Sequence, residues 1–141
     1  MPVILDTDHL TIVQQRGPES ERLVSRLDRL APDDVATSIV SFQEQVQGWM
    51  ALLNQSRDPE EIVHAYAKLD EVRRGFQKMN VLAFSEAAQE CFTSLRKQCR
   101  RLGTLDLRIA AIALTTDSTL FRRNLRDFRQ VPGLQLEDWT T

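Results

Sequence analysis

Val3, Ile4 and Leu5 form an unbroken apolar run that stops at Asp6-Thr7-Asp8. Such a run is too short for a helix and carries no polar face, so it reads as a strand covered on both sides whose end opens into a loop. Pro18 starts a helix with Leu23, Val24, Leu27 and Leu30 at helical spacing, and Ala31-Pro32-Asp33-Asp34 interrupts it. Val35 to Val40 leans to β and predicts a second strand. Ser41-Phe-Gln-Glu44 then has the spacing of a capping box, ahead of an apolar stripe through Phe42, Val46, Trp49, Met50 and Leu53. Asp58-Pro59-Glu60-Glu61 starts another helix, with Ile62, Val63, Tyr66, Leu69, Val72 and Phe76 on one face.

Val81 to Phe84 predicts a third strand. Ser85 caps a helix carrying Ala88, Phe92, Leu95, Cys99 and Leu102, which Gly103 ends. Thr104 caps the next helix, apolar nearly all round through Ile109 to Leu114 and therefore central and buried. Thr119 to Phe121 and Leu134 to Leu136 supply a fourth and a fifth strand. Strands that alternate with helices or helix pairs predict an α/β protein: a three-layer α/β/α sandwich on a mainly parallel sheet of four to five strands, one domain over residues 1–141.

Composition removes whole classes of function. The 141 residues are 42% hydrophobic and 27% charged, the balance of a globular chain and not of a disordered or fibrous one. The longest strictly apolar run, Ile109 to Leu114, cannot cross a bilayer, and no basic region leads into an apolar stretch at the start of the chain. A cytoplasmic protein with no membrane association is the expectation. A net charge of -2 excludes nucleic-acid binding by bulk charge. Cys91 and Cys99 stand about two helical turns apart and cannot bridge, and with His9 and His64 they form no zinc pattern. The five glycines are isolated, so there is no phosphate-cradling loop and no dinucleotide fingerprint.

Acidic residues recur where a parallel sheet builds its crevice, beyond the carboxyl ends of the strands. Asp6 and Asp8 follow the first strand, Glu44 the second, and Asn124 and Asp127 the fourth, while Asp106 lies in the first turn of the buried helix. Clustered carboxylates repel one another unless a cation sits among them, and Mg²⁺ or Mn²⁺ suits oxygen ligands. That chemistry serves phosphodiester hydrolysis. Plainer readings stand beside it: capping accounts for Glu44, and the helix dipole for Asp106. Asp6 is harder to explain away, because a charge directly after a buried strand is costly.

Four segments resemble the PIN-domain ribonucleases, and among them the VapC-like toxins of bacterial toxin-antitoxin pairs. They are Val3-Ile-Leu-Asp-Thr-Asp-His-Leu10, Ser38-Ile-Val-Ser-Phe-Gln-Glu44, Leu105-Asp-Leu-Arg-Ile-Ala-Ala-Ile-Ala113, and the stretch from Asn124 through Asp127 to Trp139. The resemblance implies a metal-dependent endoribonuclease in which Asp6, Glu44, Asp106 and Asp127 are the catalytic acids. Asp6 and Asp106 would be the metal ligands, for Mg²⁺ or Mn²⁺. It also implies an RNA substrate, a homodimer, and silencing by a cognate antitoxin. One position departs from the pattern: Arg122 stands where the family often has Thr, two residues before Asn124.

Basic residues flank the acids. Arg122, Arg123 and Arg126, with Asn124 and the hydroxyl of Thr7, are candidate RNA contacts, and Arg96 to Arg101 is a second basic stretch. Solvated helix faces account for such runs equally well. Two other readings of the chain remain open: a non-catalytic binding module on the same fold, and a haloacid-dehalogenase-like phosphatase using Asp6 and Asp8. The phosphatase would need a later Lys and a Gly-Asp motif, and no Gly-Asp pair occurs.

Overall fold

The computed structural model describes residues 2–7, 9–10, 17–123 and 125–139. Strands β1 (Val3–Leu5), β2 (Val35–Ser38), β3 (Asn80–Leu82), β4 (Thr119–Phe121) and β5 (Leu136–Glu137) form one sheet in the order β3-β2-β1-β4-β5. Every pairing is parallel. The helices are α1 (Pro18–Leu27), α2 (Ile39–Gln55), α3 (Pro59–Gln77), α4 (Glu86–Gln98) and α5 (Thr104–Thr115). The expected three-layer α/β/α architecture is what the chain adopts.

β1 is central because both its faces are apolar. Ile4 joins Val40, Leu107, Ala110 and Ile112 under α4 and α5, while Val3 and Leu5 pack with Leu23, Leu27 and Phe121 on the opposite side. The period of two in a strand thus divides three consecutive residues between two cores. α5 is wrapped by its neighbours, with Leu107 and Ile109 to Ala113 fully buried. α2 and α3 pack on each other through a third cluster that includes Phe42, Trp49, Val72 and Phe76. Phe121 and Phe128 are core, as expected. Among the described residues, no helix is long and apolar enough to cross a membrane.

Several boundaries differ from the sequence reading. β2 ends at Ser38, whose hydroxyl accepts the backbone N–H of Ser41, so α2 begins at Ile39 and the capping box assigned to Ser41 and Glu44 does not form. Glu44 therefore lies in the second turn, beyond reach of a cap. α4 stops at Gln98 instead of running to Gly103. Gly103, not Thr104, is the N-cap of α5. β3 and β5 are offset from Val81 to Phe84 and Leu134 to Leu136, the shift expected of short edge strands whose partner sets their register. Both cysteines are free thiols.

Truncating the centre of the wrapped helix, Ile112→Ala, is expected to cost about 2 to 5 kcal/mol through lost burial and the cavity left behind. Urea unfolding followed by circular dichroism measures this, and an unchanged midpoint would show that the α5 layer is not the main core.

Candidate functional site

The connections leave β1 in opposite directions. β2 lies on one side of it and β4 on the other, which makes the edge between β1 and β4 the switch point where an open parallel sheet forms its crevice. Asp6 is the first residue beyond β1, and its backbone is held twice: its N–H donates to the Phe121 carbonyl at 3.1 Å, and its carbonyl accepts from Leu10 N–H at 2.9 Å. The Thr37 hydroxyl fixes the last carbonyl of β1, that of Leu5, at 2.9 Å. The Asp6 carboxylate is consequently buried, with 1% of its residue surface exposed.

Its polar and charged neighbours come from three elements. The Ser41 hydroxyl, at the start of α2, donates to Asp6 Oδ1 at 3.5 Å and is itself 3.2 Å from the Ser38 hydroxyl. Arg122, the first residue after β4, donates from Nη1 to Asp6 Oδ2. The same nitrogen lies 3.4 Å from Oδ1 of Asp106 in the first turn of α5. One guanidinium nitrogen thus joins the two acids expected to bind metal. The Arg122 guanidinium also lies over the Phe128 ring, 4.4 Å from its centre, a cation–π contact. Burial pushes the Asp6 carboxyl above its ordinary range, the Arg122 charge opposes that rise, and the Asp106 charge adds to it.

The other expected residues are placed as follows. Glu44 is half-buried in α2, with Oε1 shielded from solvent. Asp127 is exposed at the start of the 3-10 turn Phe128–Gln130, and among the described residues no hydrogen bond or ion pair joins it to Asp6 or Asp106. Thr7 presents a hydroxyl oxygen shut from solvent that makes no hydrogen bond. Arg123 pairs with Glu19 at 2.5 Å, both exposed, and Arg126 is exposed. Asp8 and Asn124 lie outside the described residues. In the second basic stretch, Arg96 is committed internally, donating to the Leu102 carbonyl at 2.9 Å and the Thr104 hydroxyl at 2.7 Å.

Sequence reasoning missed Ser38 and Ser41 as supports of Asp6, and it missed His9. The His9 ring is fully buried, its Nε2 accepts the Trp139 N–H at 3.0 Å, and it ties the segment after β1 to the end of β5. The Ser-x-x-Ser spacing before an apolar helix was the available signal for the first pair.

A divalent cation fits this donor set. Among the described residues no three His, Cys, Asp or Glu side chains form a ready metal cage. Mg²⁺ and Mn²⁺ need none, because they bind through one or two carboxylates and keep waters. Two hard carboxylates share one cationic neighbour here, and the hydroxyl oxygen of Thr7, next to Asp6 in the chain, makes no hydrogen bond.

No family model matches the chain. Ribonuclease VapC1 of Haemophilus influenzae strain R2866 is 29% identical over 147 residues, covering 99% of each chain. Ribonuclease VapC2 of Rickettsia felis is 26% identical over 99% of this chain and 98% of its own. The chain is similar to the VapC ribonucleases along its full length. Among solved structures, VapBC-1 from nontypeable H. influenzae superposes with a TM-score of 0.76 at 24% identity over all of both chains. VapBC2 from R. felis, bound to a DNA fragment from its promoter, gives 0.73 at 22% identity over 99% of both. These structures share the fold described above.

Because folding raises the Asp6 pKa, the ionised carboxylate costs stability at neutral pH, and Asp6→Asn removes that cost. The penalty is complete above the raised folded value, shrinks as pH falls, and vanishes below the ordinary Asp value, where both side chains are neutral. Thermal melts are therefore expected to rank Asp6→Asn at or above wild type at pH 7, with the gap closing near pH 3. A variant less stable at pH 7 than wild type would contradict this.

Proposed function

We propose that the protein is a metal-dependent endoribonuclease that hydrolyses RNA phosphodiester bonds and acts as the toxin of a toxin-antitoxin pair. The observation that carries the reading is the meeting of Asp6 and Asp106 on one cation at the switch point of the sheet. Full-length similarity to proteins named Ribonuclease VapC supports it, and so does the shared fold with VapBC complexes.

Asp6 and Asp106 would hold Mg²⁺ or Mn²⁺, which when bound lowers the pKa of a water and stabilises charge on the attacked and leaving oxygens. Ser41 and the backbone bonds at Asp6 keep the first carboxylate aimed at the crevice. Glu44 would orient the attacking water or accept its proton. Asp127, with Asn124, would join only if its exposed turn closes on substrate. Arg122, bonded to both carboxylates, and Thr7, next to Asp6 in the chain, would contact the scissile phosphate, while Arg123 and Arg126 would carry the RNA backbone further out. An RNA substrate implies action in the cytoplasm. A cognate antitoxin and a second copy of the chain are the partners this reading calls for.

The deciding experiment incubates purified protein with a mixed RNA pool and Mg²⁺ or Mn²⁺, with chelator as control. Cleavage is expected with metal and not with chelator. Asp6→Asn and Asp106→Asn should each lose more than about a hundredfold in rate, since loss of an outer-sphere partner alone costs about 10 to 100-fold. Full activity in both variants would overturn the site assignment. RNA binding without cleavage, equal with metal or chelator, would favour a binding module.

A further inference from the structure

Arg122 occupies a position where charge decides what else the site can hold. Its Nη1 is bonded to Asp6 and lies 3.4 Å from Asp106, so the guanidinium stands between the two carboxylates and not beside them. Its side chain is mostly covered: only 20% is exposed, its backbone N–H donates to the Glu137 carbonyl at 3.0 Å in the β4–β5 ladder, and its guanidinium lies over the Phe128 ring. Its Nε is shut from solvent and makes no hydrogen bond. A buried donor without a partner is costly and points to a partner absent from this state of the site.

Asp6 and Asp106 bring two negative charges to the edge, and Arg122 already answers one of them, which leaves too little negative charge for two divalent ions. We propose that Arg122 is a built-in second cation of the acid site: it bridges Asp6 and Asp106 at rest, limits the site to a single divalent ion, and turns to the scissile phosphate when that ion enters. Asp6 and Asp106 cannot keep both the guanidinium and the ion in the same lobes, so entry of the ion must loosen the bridge. The freed guanidinium stays at this edge, where its fork of donors would fit a pair of oxygens of a phosphate drawn to the bound cation. Arg122 then takes a charge-stabilising part that a second metal fills in a two-metal site.

This rests on the metal-dependent reading above, and its test does not require RNA cleavage. Mn²⁺ binding is titrated by the electron paramagnetic resonance signal of the free ion, on wild type, Arg122→Met and Arg122→Lys, each checked for fold by circular dichroism. Met keeps an apolar stem over Phe128 without the charge, and Lys keeps the charge. Wild type and Arg122→Lys are expected to bind one Mn²⁺ per chain. Arg122→Met should bind its first ion at least about tenfold more tightly and admit a second. Two ions in wild type, or identical counts and affinities in wild type and Arg122→Met, would overturn the proposal while leaving a metal site in place. No Mn²⁺ uptake by any of the three would overturn the metal-dependent reading as well.

Discussion

A carboxylate at the end of the central strand is the constraint around which the rest of this structure is arranged. Asp6 is buried because β1 is covered on both faces and because its own backbone is tied to Phe121 and Leu10. An ionised group in that place is tolerated only if polar and charged neighbours are brought to it. Those neighbours are Ser41 at the start of α2 and Arg122 at the end of β4, and Arg122 is shared with Asp106 at the start of α5, three pieces that an open parallel sheet delivers to one edge. The same placement that makes the acid expensive makes it useful, since a low-dielectric carboxylate has strong affinity for a cation.

Much of this frame is legible from residues close in sequence. Val3–Leu5, apolar throughout, and Thr119–Phe121, buried throughout, match their strands to the residue, and the apolar wrapping of Ile109 to Ala113 correctly predicts a buried helix. The edge strands are less legible because β5 has only two residues, and pairing with β4 decides where they fall. Ser41 and Glu44 satisfy a capping pattern that the chain does not use, because Ser38 caps the helix first and frees the Ser41 hydroxyl for Asp6. That outcome removes the plain explanation for Glu44.

What could not be read is the meeting of groups far apart in the chain. Arg122 and Asp6 are separated by 116 positions, and nothing in the local pattern around either says that one will neutralise the other. The departure from Thr at position 122 was visible. Its consequence was not, because it depends on the parallel β1–β4 register, which sets Leu5 beside Phe121 and brings the next residue of each strand together. His9 is similar: one buried ring accepting the Trp139 N–H closes the far end of the chain onto the segment after β1.

If Asp6 and Asp106 hold a divalent cation, as proposed, then this edge and no other surface binds it. Paramagnetic broadening of amide resonances by substoichiometric Mn²⁺ tests it residue by residue. The account predicts loss of signal centred on Asp6, Thr7, Ser41, Asp106 and Arg122, with the α3 face unaffected. Broadening spread over the surface carboxylates, or centred away from the β1–β4 edge, would contradict it.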